Sequence, residues 1–380
     1  MAMGRPPIHQ RAMTPAERQR RSRALRRPSR AASRIMIFGE AIRDLHLELT
    51  SRCTLACPRC QRTADPEQLV LGDLPLEVVH RELTRAQFPE VAFVNLCGNY
   101  GDPIYHPQFH EMLRLFKVQG FKVRIETNGS YRTPAWWATT ATILQRGDRL
   151  TFSIDGLEDT NPVYRVNARW PDIMAAVAAM RGRAWLIWKM IVFRHNQHQV
   201  DAARELAGEL GFDEFRLVRS NRFGTRWAGA GGIDPLEPDQ NWVSDRKQVA
   251  RAVDRSCVDE VTITPRCAKG ENIFVSSEGY LLPCCYSHIF MRQTLTAPDR
   301  HGPHDRWFER NREHFNLNRR AVAEILADPV WLELRRSWGD GTAPRVCYRQ
   351  CGVVTGGDFA SPVEVRRRDR VMVKLQRQTG

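Results

Sequence analysis

The stretch Leu45-His46-Leu47-Glu48-Leu49-Thr50-Ser51-Arg52-Cys53-Thr54-Leu55-Ala56-Cys57-Pro58-Arg59-Cys60 carries two signals in direct succession. Residues 45–50 alternate apolar and polar side chains, the period of a half-buried strand. Three cysteines then follow at C-x3-C-x2-C spacing, so three thiols leave the C-terminal end of one strand on one short loop. Such a set suits an iron–sulfur cluster, whose irons are held by cysteine sulfur. Three ligands rather than four leave one iron open to a small molecule. Two plainer readings stand beside this one. Zinc uses C-x2-C pairs, but x3 followed by x2 on a single loop is unusual for it. Buried free cysteines are common, but three in eight residues is dense for packing alone.

Working outward, the chain has 380 residues and ten cysteines, with 42% hydrophobic residues, enough for two domains and a sizeable core. No apolar run nears the roughly eighteen residues of a membrane span, and no secretory h-region opens the chain. Clustered cysteines without a secretion signal point to metal ligation in a reducing compartment, and the expected location is cytoplasmic. The formal net charge is +14, and residues 1–34 hold nine of those charges, with ten Arg and one acid, Glu17. That segment reads as an Arg-rich disordered tail. Thr14-Pro15-Ala16-Glu17 could cap a short helix in it, and Met36 is an alternative start.

From residue 35 to 222, strand and helix patterns alternate. Strands are expected at 45–50, 91–96, 122–127, 150–155, 185–193 and 214–218. Helices are expected at 74–85 (Asp73 as N-cap), 108–119 (closed by Gly120), 136–146, 172–180 and 199–210 (closed by Gly211). Six strands in such alternation give an α/β fold, a partial (β/α)6 TIM-like barrel, whose working residues sit at strand C-termini. The polar and glycine-rich clusters all fall there. Residues 223–262 read as a linker.

A second cysteine field occupies residues 263–356, a small C-terminal Cys-rich α+β cluster-binding domain. Cys267 and Cys284 flank a hairpin pattern, Ile273 to Leu282 with a Ser-Glu-Gly turn, which brings its two ends together. Cys347 and Cys351 follow on what reads as a short loop, after helical patterns at 321–327 and 331–338. Four thiolates would close either a cluster or a structural zinc site, and Cys257 or Cys285 could replace one of them. Cys97 reads as a small buried residue. The basic segment 357–380 reads as a solvated helix.

Taken together, these motifs resemble the radical S-adenosylmethionine (SAM) enzymes, whose cysteine loop is C-x3-C-x-aromatic-C after the first barrel strand. The resemblance implies that Cys53, Cys57 and Cys60 hold a 4Fe–4S cluster. It also places Gly101-Asp102-Pro103 where backbone groups take the SAM amino group, and Thr127-Asn128-Gly129 at the third strand end. Ser153 and Asp155 match the S-x-D-G stretch near the SAM carboxylate or ribose, Arg165 matches an arginine near the carboxylate, and Asn196 matches a polar residue near the ribose. Arg59 departs from the pattern, standing where an aromatic usually meets adenine; a guanidinium can stack on a ring instead. Cys267, Gly279 and Cys284, then Cys347 and Cys351, resemble the SPASM or shorter twitch extension, which implies an auxiliary 4Fe–4S cluster.

By this resemblance the chain is a radical SAM oxidoreductase or modifying enzyme. It would cleave SAM reductively and abstract hydrogen from a peptide or small-molecule substrate. Electrons would come from a donor such as flavodoxin or ferredoxin; no membrane is implied, and nucleic acid is not an expected partner. The reading from a different class is a non-catalytic iron–sulfur or zinc protein that binds nucleic acid through its basic tail.

Overall fold

The computed structural model describes residues 36–220, 222–229, 232–244, 261–354 and 370–375. The Arg-rich tail, its capping sequence, Cys257 and Arg366-Arg367-Arg368 lie outside these residues. Six parallel strands carry the fold: β1 (Asp44–Leu47), β2 (Phe93–Leu96), β3 (Lys122–Thr127), β4 (Arg149–Ser153), β5 (Trp185–Ile191) and β6 (Glu214–Val218). Five helices cross over between them: α1 (Leu76–Glu82), α2 (Phe109–Val118), α3 (Pro134–Ile143), α4 (Trp170–Met180) and α5 (Val200–Glu209).

Local sequence explains these elements. α2 buries Phe109, Met112, Leu113 and Phe116 at helical spacing. It ends at Gly120, whose φ of 75° suits glycine. α3 starts at Pro134 behind Thr133, whose side chain accepts from the Trp136 amide. α1 differs from expectation: its N-cap is Pro75, because Asp73 is drawn away to Thr50 and Arg52. Between helices and sheet lies a core in which Trp137, Phe152, Trp188 and Phe212 are fully buried. Burying each such side chain contributes roughly 1.5–3 kcal/mol or more. Asp148, also buried, accepts from Lys117 Nζ at 2.7 Å and from the Val123 amide, which ties α2 to β3.

The second cysteine region is continuous with the barrel sheet. β7 (Ile273–Val275) pairs in parallel with β1, and β8 (Leu281–Leu282) pairs antiparallel with β7, which is the expected hairpin. At the opposite edge β9 (Arg370–Lys374) pairs antiparallel with β6. So that part of the C-terminal segment is a strand and not a helix: Val371 and Val373 fall at alternate positions of a ladder the β6 edge leaves open. The sheet order is β8-β7-β1-β2-β3-β4-β5-β6-β9. The helices of the region include α6 (Cys285–Thr296), the short expected helix Val322–Leu326, α7 (Val330–Asp340) and α8 (Arg345–Cys351). Among the described residues, no helix is long and apolar enough to cross a membrane.

Candidate functional site

The cysteine loop is held in shape by its own backbone and by the turn opposite. Ser51 donates its hydroxyl to Val70 O and accepts from the Gly72 amide, while Arg62 donates to Ser51 O and Tyr100 O. The Ala56 amide reaches Val166 O, and Cys60 O starts the short helix Gln61–Ala64. Cys53, Cys57 and Cys60 all open onto one cavity of about 470 Å³ at the C-terminal ends of the strands. Burial pushes the Cys53 thiol up to about 12, with Asp102 acting in the same direction. Burial likewise raises Cys57, against the pull of Arg165. Thiols that burial keeps protonated give up their protons to a metal rather than to water. Three soft thiol donors on one cavity wall suit an iron–sulfur cluster.

The ends of β2 and β3 form one hydrogen-bonded assembly beside this loop. Gly101 passes so close to the chain that follows β1 that a Cβ would lie 2.0 Å from Thr50 O, so only glycine fits. Asp102 is buried; it accepts from the Ile104 amide with one oxygen, and from Thr127 Oγ1, the Asn128 amide and Asn128 Nδ2 with the other. Asn128 Nδ2 also lies 3.6 Å from Cys53 Sγ. Burial lifts the Asp102 carboxyl to about 6. Gly101, Asp102, Thr127, Asn128, Ser153 and Arg165 all line the cavity. Arg165 Nε donates to Asp155 at 2.7 Å, and the nearby Asp155 and Cys57 raise the guanidinium further against its burial.

Four expected cofactor contacts are placed elsewhere. Pro103 is buried at the start of a turn behind the wall. Asp155 is spent on Arg165 and the Ile191 amide. Asn196 accepts from the Phe193 amide and donates to Asp155 O and Ile191 O, so it braces the β5 end from behind. Arg59 does not reach the cavity: its guanidinium pairs with Asp234 and faces Trp227.

Other lining groups went unread in the sequence. Glu126 and Lys189 form an ion pair inside the barrel. Burial pushes Lys189 down to about 8, with Arg370 and Arg216 acting the same way; the contacting Glu126 carboxylate favours the charged amine. Cys97, read as a small buried residue, also forms part of the cavity wall, and burial lifts its thiol to about 11. Arg219, Ser220 and Arg222 follow β6, and Tyr286 enters from α6. The available signal was a lone Lys in the otherwise apolar run Trp185–Ile191.

The second cysteine set also converges. Cys267 begins a single turn after the strand Val261–Ile263, Cys284 is the N-cap of α6, and Cys347 and Cys351 lie on α8 rather than on a loop. Their i, i+4 spacing puts both on one helix face. Burial raises the Cys267 thiol, followed by the nearby Cys284, Cys347 and Cys351. Cys285, next to Cys284, acts on the Cys97 thiol as well.

The radical SAM superfamily model matches residues 47–207, and the SPASM iron–sulfur cluster-binding domain model matches residues 267–352. The chain is 33% identical over 153 residues to the tungsten-containing aldehyde ferredoxin oxidoreductase cofactor-modifying protein of Pyrococcus furiosus. That match spans 40% of this chain and 38% of the relative, so well under half of the relative's length is covered. Among solved structures, Streptococcus suis SuiB bound to its precursor peptide SuiA has a TM-score of 0.51 at 14% identity, covering 78% of this chain and 67% of that one. Native anSMEcpe with bound AdoMet and a peptide has a TM-score of 0.49 at 13% identity, covering 85% of this chain and 94% of that one.

Proposed function

The chain belongs to the radical SAM superfamily and carries a SPASM domain, and from this premise we propose that it cleaves SAM reductively and uses the product to abstract hydrogen from a peptide or small-molecule substrate. The cofactors of these domains are a 4Fe–4S cluster, SAM and auxiliary iron–sulfur clusters. When bound, the first cluster supplies the electron that splits SAM into methionine and a 5′-deoxyadenosyl radical.

The observation that carries this reading is the wall of the 470 Å³ cavity, where Cys53, Cys57 and Cys60 stand with Gly101, Asn128, Ser153 and Arg165. In this reading the three cysteines hold the cluster and leave one iron unligated. The Gly101 turn lines the cavity, where it would offer backbone groups to an amine, and Asp102 fixes Thr127 and Asn128 in advance. Arg165, oriented by Asp155, offers its free N–H groups to a carboxylate. Glu126, Lys189, Cys97 and Arg219 remain for the substrate. Cys267, Cys284, Cys347 and Cys351 hold one auxiliary cluster that takes up the substrate electron or orients the substrate. The domain units are 35–222 and 263–356, and a ferredoxin or flavodoxin serves as electron donor. The cofactor-modifying relative supports action on another molecule's covalent structure.

Anaerobic reconstitution, reduction and incubation with SAM tests the proposal. Release of 5′-deoxyadenosine and methionine is the expected result. A protein loaded with both clusters that releases neither overturns it.

A further inference from the structure

Among the described residues, five cationic side chains line the cavity, and four of them are already engaged. Arg62 donates to Ser51 O and Tyr100 O. Arg165 is paired with Asp155, Lys189 with Glu126, and Arg222 donates to Arg59 O. Arg219 is the exception. Its Nε is buried without a hydrogen-bond partner, and among the described residues no carboxylate pairs with its guanidinium. The acids of the same wall are committed as well, Asp102 to Thr127 and Asn128 and Glu126 to Lys189.

The backbone that presents Arg219 is firmly held. It directly follows β6, and the Ser220 carbonyl accepts from the Ser244 amide. Ser220 Oγ accepts from the Arg222 amide, and Arg222 in turn grips the cysteine loop at Arg59 O. A guanidinium presents its N–H groups as a planar fork that matches carboxylate and phosphate oxygens. Held in a partly enclosed cavity without a counter-charge among the described residues, it gains most from an anion that enters from outside.

We propose that Arg219 is a substrate-binding residue that receives a carboxylate or phosphate, so the substrate is an anion. This rests on the reading of the cavity as a SAM and substrate site. SAM brings a carboxylate of its own, which the resemblance assigns to Arg165. Arg219, at the end of the sixth strand, is left for the second molecule. An acidic peptide end or a phosphorylated small molecule satisfies this requirement, and a neutral alcohol does not.

The test uses the anaerobically reconstituted protein saturated with SAM, titrated calorimetrically with inorganic phosphate and, separately, with acetate. At least one anion binds the wild type, and Arg219→Gln weakens that binding about tenfold or more, while Arg219→Lys keeps part of it. The anion that binds tells a phosphorylated substrate from a carboxylate. SAM affinity and iron content stay at wild-type values in both variants. The proposal is overturned if neither anion binds, or if Arg219→Gln binds as well as wild type. It is also overturned if that variant loses SAM affinity instead, which would put Arg219 on the carboxylate of SAM. A wild type that fails to bind SAM counts against the cavity reading alone, because the same titrations of SAM-free protein still report on Arg219.

Discussion

Arg59 donates to Asp234 across 2.6 Å, and the Trp227 ring centroid lies 4.2 Å from the same guanidinium. Both charged side chains are buried, at 7% and 0% exposure. Asp234 also accepts from the Gly224 and Leu236 amides, so it ties these two backbone positions to each other as well as to the cysteine loop. Phe223 and Leu236 add apolar contact with Leu55 and Cys57. The residue where relatives carry an aromatic therefore serves as a clamp for the loop, and its aromatic partner comes from another part of the chain. Asp234→Ala leaves a buried guanidinium unpaired and is expected to destabilise the protein by about 3–5 kcal/mol. A urea melt of the cluster-free protein measures this, and a midpoint equal to wild type rules the clamp out. The double change Arg59→Met with Asp234→Leu removes both charges and recovers much of the loss.

The two thiol sets are expected to behave as separate sites. Cys53→Ala abolishes SAM cleavage but keeps the iron held by the other set. Cys267→Ala keeps SAM binding and loses the auxiliary iron. Iron and sulfide counts on reconstituted variants, with SAM-induced changes in the electron paramagnetic resonance spectrum, read the two apart. Loss of one and the same cluster from both variants would show that the sets are not independent.

The parallel barrel was legible because each strand ends at a polar or glycine-rich cluster, and hydrophobic periodicity set the strands apart from the helices. That Cys53, Cys57 and Cys60 share one cavity wall was legible because their spacing is local. Asp155 and Asn196 show the limit of such reading. Both stand at strand ends, yet one anchors Arg165 and the other braces the chain behind the wall. Which way a polar side chain turns depends on register and on neighbours far along the chain. Glu126 and Lys189 were hidden for the same reason, since they sit on strands that are not adjacent in the sheet. The helix Arg345–Cys351 was missed because about two turns of helix carry little periodic signal.

Asp102 makes stability and cofactor binding respond to pH in opposite directions. Burial raises its carboxyl from 3.8 to about 6. For a raised carboxyl, the contribution to stability is complete below the unfolded value and is lost as pH rises through the folded one. Acidification from about 6 toward 4 thus favours folding at this group. The same proton takes acceptor capacity from Thr127 and Asn128, which line the cavity. SAM affinity is therefore expected to fall as pH drops through about 6, with Asp102→Asn weak but flat over that range. Equilibrium SAM binding across this range checks it, and a wild-type profile as flat as that of the variant would exclude Asp102 as the titrating group.

Glu48 joins the cavity turn to the second cysteine region. It is fully buried, and one oxygen accepts from the Tyr100 amide at 2.7 Å. The other lies 3.8 Å from Nδ1 of His288 on α6, and His288 Nε2 meets Glu278 at 3.1 Å. Burial raises the Glu48 carboxyl, and His288 opposes that rise. Glu48→Gln keeps an oxygen for the Tyr100 amide and turns an amide N–H toward His288 Nδ1, which accepts when Nε2 carries the ring proton. Its cost is expected to be within about 1 kcal/mol. Glu48→Ala leaves a buried backbone N–H unsatisfied, a loss of roughly 1–3 kcal/mol, and frees the Gly98–Gly101 turn that lines the cavity. Denaturant melts separate the two variants, and hydrogen exchange at the Tyr100 amide locates the difference. Equal melting midpoints, or an equally protected Tyr100 amide in both, would mean that packing around Tyr100 holds the turn without the Glu48 hydrogen bond.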